Sequence, residues 1–145
     1  MQITRQADYA ARAVLYLSRL APGAQAATAV IAREAHVPAA FLSKIVAQLG
    51  AAGLLRATRG ARGGVTLARP AAEISLLQVV EAIDGSPALN ACAADPRGCE
   101  LAGACGMEAV WSQARQDLVA RLGRVTFADM LAPGAAGQAD TLTVA

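Results

Sequence analysis

The sequence predicts a mainly α-helical protein: a winged helix-turn-helix domain with a small β-hairpin wing, followed by a long C-terminal dimerisation helix. Three observations lead to this fold class. Three successive segments within residues 4–52 carry apolar residues at spacings of three and four, the period of an amphipathic helix. Two short β-like runs follow, joined by a basic turn that contains glycines. Another stretch of helical periodicity begins near Met107.

The three N-terminal helices are bounded by capping residues and helix breakers. Thr4 is a good N-cap, so the first helix is predicted over 4–20. The second helix is predicted over 28–35. Pro38 opens the third helix, 38–52, at the position where proline is best tolerated. The residues expected in the core are Tyr9, Ala13, Leu17 and Leu20, then Val30 and Ile31, then Phe41, Leu42, Ile45 and Leu49.

A hairpin follows the third helix. Its strands are predicted at 54–57 and 64–68, and the turn 58–63 between them contains two glycines and two arginines. This is the order of elements expected of a wing.

A capping box marks the start of the fourth helix. Ser75 stands at the N-cap and Gln78 at the third helical position, while Ile74 and Val79 occupy the places of a hydrophobic staple. The helix is predicted to end at Ile83, before a run that contains glycine and proline.

The C-terminal part contains one long amphipathic helix, predicted over 107–122. Because the compact unit leaves little for its apolar stripe to pack against, pairing with a second copy is the preferred interpretation. A short last helix is predicted to start within 126–129, and the tail from Pro133 is expected to be disordered. The apolar stripe consists of Met107, Trp111, Ala114, Leu118 and Leu122.

Charge divides the chain into two halves. Residues 1–70 carry nine basic against two acidic side chains, a net charge of +7, and residues 71–145 carry four basic against nine acidic ones. A basic half of this size suggests a surface for a polyanion. Chance clustering is less favoured, because the basic residues coincide with the predicted helix-turn-helix and wing.

These elements fit double-stranded DNA. The third helix would enter the major groove by its N-terminal end, where Ser43 and Lys44 can donate to bases or phosphates. An arginine of the wing tip would enter a neighbouring minor groove. A protein-interaction module is the weaker alternative, since it leaves the wing arginines unexplained. The candidate DNA-binding residues are Ala39, Ala40, Ser43, Lys44, Gln48, Arg56, Arg59 and Arg62, with Gln48 and Arg56 expected at phosphates.

Cys92, Cys99 and Cys105 are the only cysteines and lie in one 14-residue window. An odd number argues against a disulfide framework. An iron–sulfur cluster is favoured over zinc, a metal-free thiol switch or inert thiols, because the glycines of the window would let backbone N–H groups approach the sulfides. Zinc sites usually show cysteine pairs that are absent here. Three thiolates leave a metal site one ligand short, so a fourth ligand must come from elsewhere.

The sequence offers little support for an enzyme, a membrane protein or a secreted protein. His36, the single histidine, lies in a predicted turn without the neighbours of a catalytic triad. No apolar run approaches the ~18 residues of a membrane span, and the N-terminus lacks the apolar region of a secretory signal. We therefore expect a cytoplasmic protein that is not an enzyme and has no membrane partner.

Several motifs occur together along the chain. They are the opening MQITRQADYA, the segment FLSKIVAQL followed by Gly53-Leu54, the wing RGARGG, Ile74-Ser75-Leu76 with Val80 and Ile83-Asp84-Gly85, and the three-cysteine loop followed by Trp111. With these motifs the chain resembles the IscR/NsrR-type family of winged-helix iron–sulfur transcription regulators over nearly its whole length.

The resemblance implies a homodimer that binds a pseudo-palindromic operator, most often as a repressor, in response to the state of a cluster near the dimer interface. It divides the chain into a DNA-binding domain (1–85), a cluster-binding loop (86–106), a dimerisation helix with a short last helix (107–132) and a tail (133–145). The implied signal is nitric oxide, redox state or iron. A cluster-free thiol regulator and a zinc-stabilised interaction module are the alternatives.

The fourth ligand separates the branches of that family. IscR-like members have a histidine three residues after the last cysteine, where this chain has Glu108. In NsrR-like members the ligand resembles Asp8, supplied by the partner subunit. The ligand set implied by the resemblance is thus Cys92, Cys99, Cys105 and Asp8, with Glu108 as the alternative to Asp8. A 4Fe–4S cluster is favoured, and a 2Fe–2S cluster is the alternative.

Overall fold

Five α-helices and a two-stranded antiparallel sheet make up the part of the chain that the structure describes, residues 2–90, 95–101 and 103–131 of a computed structural model. The predicted mainly α-helical fold with a hairpin wing is confirmed, whereas the predicted tail 133–145 lies outside the described residues. Short 3₁₀ turns occupy Ala71–Glu73, Pro96–Gly98 and Asp129–Leu131. The main elements are α1 (Arg5–Ser18), α2 (Thr28–Glu34), α3 (Ala39–Ala51), β1 (Leu55–Thr58), β2 (Gly64–Leu67), α4 (Leu76–Asp84) and α5 (Gly106–Arg124).

Helix α1 begins where the sequence predicts. The Oγ1 atom of Thr4 accepts a hydrogen bond from the backbone N–H of Ala7 at 3.2 Å, and so caps the helix. The helix ends at Ser18 instead of Leu20, because the backbone N–H groups of Arg19 and Leu20 bond to carbonyls only three residues back. Such a tightened turn is a common helix end.

The buried side of α1 differs from the predicted one. Ala13 and Leu17 are buried as expected, but Tyr9 and Leu20 are only half-buried. Val30 of α2 is half-buried as well, and Ile31 alone among the residues of α2 is fully buried. The stripe of α1 is completed by small residues that allow close packing on α3 and α4, namely Ala7, Ala10 and Val14.

The turn between α2 and α3 forms at His36, whose φ of 53° is left-handed. Pro38 serves as the N-cap of α3 and not as its first helical residue. Leu42, Ile45 and Leu49 are buried as predicted.

The prediction that Phe41 lies in the core is wrong. Its side chain is 42% exposed, because it stands on the flank of α3 that faces α1. There it meets the ring of Tyr9 edge-on, with ring centroids 5.5 Å apart. The aromatic pair thus joins the two helices at the protein surface.

The wing is a hairpin in which β1 pairs with β2 in the register Leu55 to Leu67 and Thr58 to Gly64. Both strands lie within one residue of their predicted limits. The backbone of Ala26 exchanges two hydrogen bonds with that of Val65, at 2.8 and 3.0 Å, and so ties the wing to the segment before α2. Glycine is required at position 64, because a Cβ atom there would lie 2.9 Å from the carbonyl oxygen of Ala26.

Helix α4 opens with the predicted capping box. The backbone N–H of Ser75 donates to Gln78 Oε1 at 2.9 Å, and the backbone N–H of Gln78 donates to Ser75 Oγ at 3.3 Å. Ile74 and Val79, the predicted staple, are both fully buried in the core. The helix ends at Asp84, one residue beyond the prediction.

We expect Ser75→Ala to lower the free energy of unfolding by about 1 kcal/mol, since the variant loses the acceptor for the N–H of Gln78. The measurement is the midpoint of urea unfolding followed by circular dichroism. Ser112→Ala, on the exposed surface of α5, is the matched control and should change stability by less than about 0.5 kcal/mol. Equal midpoints for the two variants would show that the box contributes nothing.

The end of the described chain returns to the core. Residues 125–127 run antiparallel to residues 74–76 through bonds such as Phe127 N–H to Ile74 O at 3.0 Å. This places Phe127 among the fully buried side chains. The predicted short last helix is the 3₁₀ turn Asp129–Leu131, and hydrogen bonds from the backbone N–H and hydroxyl of Thr126 lower the pKa of Asp129.

Helix α5 lies beside α4 with none of its residues fully buried. It begins one residue before the predicted start and continues two residues past the predicted end. Met107, Val110 and Trp111 near its N-terminal end are 63%, 65% and 41% exposed. None of the helices in the described part of the chain combines the length and the apolar character of a membrane-spanning segment.

Candidate DNA-binding surface and cysteine site

The exposed surface of α3 carries four of the residues predicted to contact DNA. Its buried side is formed by Leu42, Ile45 and Leu49. With that side in the core, the opposite side of the helix is free for a groove of DNA. Ala39, Ala40, Ser43 and Lys44 are all exposed.

Two side-chain contacts from α1 hold the flank of α3. One is the edge-on pair of Tyr9 and Phe41. In the other, Nε2 of Gln6 donates a hydrogen bond to Oε1 of Gln48. The structure therefore places Gln48, which the sequence assigns to a phosphate, half-buried in the contact between the two helices. Its amide nitrogen is the atom that remains for a phosphate.

The wing presents the other predicted contacts. Arg56, Arg59 and Arg62 are exposed, and β1 packs directly against α3. The side-chain amide of Gln25 donates a hydrogen bond to the carbonyl oxygen of Arg62 at 2.6 Å and so stabilises the turn of the wing. The two elements that carry the predicted DNA contacts are thus neighbours.

Two of the three cysteines belong to the described residues. Cys99 follows the 3₁₀ turn Pro96–Gly98, and Cys105 is the N-cap residue of α5. Both are free thiols and half-buried. Cys92 lies outside the described residues.

Cys105 borders a shallow hollow of 490 Å³ at the start of α5. The positive end of the helix dipole lies here and stabilises a negative ligand atom. Two glycines keep the backbone open beside the sulfur. The described residues bring no three His, Cys, Asp or Glu side chains together, so the described part of one chain holds no complete metal site. The lining residues are Gly103, Ala104, Cys105, Gly106, Glu108, Ala109 and Ser112.

The donor set fits an iron–sulfur cluster in its chemistry. Thiolates are the usual ligands of such clusters, and backbone amides and low steric bulk around the sulfurs suit them. Cys99 and Cys105 would supply two of the sulfur ligands from the described residues. A complete set would also need Cys92 and a fourth ligand.

Glu108 is already engaged at the start of α5. Its Oε2 atom accepts a hydrogen bond from the backbone N–H of Gly103 at 3.1 Å. Glu108 therefore lies beside Cys105, as its position in the sequence implies, but it also stabilises the turn before the helix. One of the two carboxylate oxygens of Glu108 is thus occupied by a hydrogen bond within the chain.

Asp8 lies on the first turn of α1 with its side chain half exposed. Its Oδ2 atom forms an ion pair with Nη2 of Arg12 at 2.8 Å, one helical turn further on. Arg12 in turn lies over the ring of Tyr9, 5.8 Å from the ring centroid. Among the described residues, Asp8 shares no cluster of ligands with the cysteines.

Asp8 and Arg12 also border an apolar groove of 650 Å³ between α1, α4 and α5. An apolar groove of this kind is a candidate contact surface. Leu118 and Leu122 of the predicted dimerisation stripe line it. The other aliphatic residues of its lining are Ile3, Ala7, Ala11, Leu15, Leu76 and Val80.

Sequence reasoning missed several of these contacts. The spacing of Asp8 and Arg12 is a recognisable sign of a helical ion pair. The pairing of Gln6 with Gln48 and the contacts of Arg115 with residues 86 and 87 have no local sign, because they join distant parts of the chain.

The model of the family Rrf2, described as "Iron-dependent Transcriptional regulator", matches residues 3–133. Among solved structures, T. potens IscR is 23% identical, with a TM-score of 0.71 over 90% of this chain and 86% of that one. CymR, the global cysteine regulator of B. subtilis, is 21% identical, with a TM-score of 0.70 over 90% and 95% of the two chains. The oxidized form of Staphylococcus aureus CymR is 24% identical, with a TM-score of 0.68 over 88% and 93%. These structures share the fold.

Proposed function

The chain belongs to the Rrf2 family of transcriptional regulators, and from this premise we propose that an iron–sulfur cluster controls its affinity for operator DNA. As a member of this family it is a DNA-binding regulator of transcription and not an enzyme. The proposed form is a cytoplasmic homodimer that acts as a repressor. The observation that carries the proposal is the presence of two free thiols on a winged-helix scaffold, Cys99 after the 3₁₀ turn Pro96–Gly98 and Cys105 at the N-cap of α5.

Binding to DNA is assigned to α3 and the wing. Lys44 and Ser43 stand on the exposed side of α3, where they reach bases or phosphates of the major groove. Arg59 stands on the exposed turn of the wing, where a guanidinium group suits a narrow minor groove. The +7 charge of residues 1–70 supports this assignment, since phosphate neutralisation supplies much of the affinity.

We expect Lys44→Ala and Arg59→Ala each to weaken operator binding by about 1–3 kcal/mol if the side chain reads a base, and by less if it meets only a phosphate. Fluorescence anisotropy on a duplex selected by the protein from a random library measures this at two salt concentrations. Arg124→Gln removes one charge from the far end of α5 and should leave affinity nearly unchanged. Unaltered binding by both test variants would contradict the docking.

Dimerisation is assigned to α5 and the groove beside it. Trp111 and Met107 expose apolar surface near the start of the helix, and Leu118 and Leu122 line the groove between α1, α4 and α5. A second copy would cover both surfaces at once by a symmetric contact. The same contact would bring Asp8, at the groove edge, towards the partner subunit.

Asp8 is the proposed switch. When bound, an iron–sulfur cluster would supply an iron site that responds to nitric oxide, to redox state or to iron supply. A carboxylate is a weakly held ligand beside three thiolates. In the structure the carboxylate of Asp8 forms an ion pair with Arg12 at 2.8 Å. Arg12 would therefore compete with iron for this carboxylate.

Helix α1 links that switch to DNA reading. Asp8 lies between Gln6 and Tyr9 in the sequence, and those two residues contact Gln48 and Phe41 on the flank of α3. A change of partner at Asp8 therefore acts on the same helical turn that holds α3.

A cluster-free thiol regulator is the second candidate, favoured by the half-exposed state of both described thiols. The absorption spectrum of anaerobically purified protein separates the candidates. Visible bands support the cluster, and a colourless protein that changes operator affinity on oxidation supports the thiol regulator. Bound zinc in a colourless protein that does not bind DNA would instead indicate the interaction module.

A further inference from the structure

Arg115 makes two hydrogen bonds that leave its own helix. Its Nε atom donates to the carbonyl oxygen of Pro87 at 2.7 Å, and its Nη2 atom donates to Oγ of Ser86 at 2.7 Å. Pro87 is buried and Arg115 is half-buried. Charge-assisted bonds of this length are among the stronger ones in proteins.

The segment that Arg115 contacts is also hydrogen-bonded to the start of α1. Asp84, at the end of α4, accepts hydrogen bonds from the backbone N–H of Thr4 at 3.1 Å and from its hydroxyl at 2.6 Å. Thr4 is the N-cap of α1. Residues 84–87 therefore join the start of α1 to the middle of α5.

All three cysteines lie between this junction and α5. The cysteine window begins five residues after Pro87 and ends at Cys105, the N-cap of α5. Arg115 stands ten residues further along the same helix. Its guanidinium group thus connects α5 to residues 86–87, which precede the cysteine window in the sequence. Helix α5 itself carries Cys105 at its start.

We propose that Arg115 is a positioning residue that couples the cysteine segment to the DNA-binding domain. Its two bonds fix α5 relative to residues 86–87, and through Asp84 and Thr4 they fix α1, which carries Asp8. When the cluster is lost or altered, Cys105 and the start of α5 move. The contact of Arg115 transmits this movement to α1. The inference rests on the proposed function, since it needs a cluster that α5 helps to hold.

The shape of the side chain explains why arginine is required. A guanidinium group presents several N–H donors in one plane and can meet a carbonyl and a hydroxyl at once, whereas a lysine is a single point donor. Arg115→Lys should keep the charge and one of the two bonds. It therefore serves as the partial rescue of Arg115→Gln.

The experiment compares Arg115→Gln, Arg115→Lys and Ser86→Ala with Arg124→Gln, which removes an arginine elsewhere on the same helix. For each anaerobically purified protein we would measure the rate of bleaching of visible absorption by a nitric oxide donor and the operator affinity with and without the cluster. Amide hydrogen exchange of residues 84–90 in the cluster-free proteins provides a readout that does not need the cluster.

We expect Arg115→Gln to bleach about tenfold faster, as is common when a residue that orients metal ligands is lost. The ratio of operator affinities with and without cluster should fall towards one, while the affinity of the cluster-free protein stays the same. Arg115→Lys and Ser86→Ala should lie between Arg115→Gln and the unchanged protein. The double variant Ser86→Ala/Arg115→Gln should match Arg115→Gln alone, because Arg115→Gln already removes the bond to Ser86.

Each other outcome has a distinct meaning. Faster exchange at residues 84–90 with unchanged bleaching and an unchanged affinity ratio would overturn the coupling and leave only a structural contact. An additive double variant would show that Ser86 and Arg115 act separately, and would overturn the proposed path. If the unchanged protein holds no cluster, the proposed function fails and the coupling fails with it, even where the exchange result shows that the contact itself exists.

Discussion

Replacing Cys99 or Cys105 with alanine should abolish the visible absorption of the anaerobically purified protein. The chain has only three cysteines, so no other thiolate can take the place of a lost ligand. Thiolates dominate the binding of such clusters. If one of the three thiolates is lost, two thiolates and one carboxylate remain as ligands. These should bind the cluster too weakly for it to survive purification. The same result is expected for Cys92→Ala.

Folding of these variants should not suffer, because Cys99 and Cys105 are half-buried and lie outside the hydrophobic core. Far-ultraviolet circular dichroism and sedimentation should therefore report an unchanged helical content and an unchanged oligomeric state. Ser112→Ala is the matched control, since Ser112 lines the same hollow as Cys105 without supplying a thiolate. A full-strength cluster in any of the three cysteine variants would remove that residue from the ligand set.

Most of the fold could be predicted because its elements begin and end with local chemistry. Thr4 and Ser75 cap helices through their own side chains, and both caps form as the sequence predicts. The hairpin was predictable because two short β-like runs flank a turn that contains Gly60 and Gly63. Such signals depend on residues close in sequence, which is why the limits of most elements shift by only one or two positions.

The errors concern packing between distant segments. Periodicity placed Phe41 in the core, but the flank of α3 faces α1 and the ring stays 42% exposed against Tyr9. Phe127 was not recognised as a core residue because its burial depends on the pairing of residues 125–127 with residues 74–76. A hydrophobic period identifies one side of a helix and cannot identify which neighbour covers it.

The candidate site shows the same division. The spacing of the cysteines and the basic residues of the wing are visible in the sequence. The contacts that would transmit a signal are not, since Gln6 with Gln48 and Arg115 with Ser86 are separated by 42 and 29 residues. The candidate cysteine ligands and the candidate DNA contacts could be named from sequence, whereas the contacts between the segments that carry them required the structure.

The carboxylate ligand can be identified by comparing three single variants. Asp8→Ala should make the cluster at least about tenfold more labile, because water or an added thiol would replace the lost ligand. Operator binding by the cluster-free protein should stay nearly unchanged, since Asp8 is paired with Arg12 on α1 and is not among the predicted DNA contacts. Bleaching rate and fluorescence anisotropy are the two measurements.

Arg12→Ala tests the competition directly and should act in the opposite direction. Arg12 pairs with the carboxylate of Asp8 at 2.8 Å. Without Arg12 that carboxylate is free to bind iron, so the cluster should be lost more slowly. Glu108→Gln is the matched control at the other candidate, because an amide oxygen can still accept the N–H of Gly103. A labile cluster in Glu108→Gln together with a stable one in Asp8→Ala would place the fourth ligand within the same subunit. The link between Asp8 and the partner subunit would then be wrong, while the cluster and the binding of DNA could both stand.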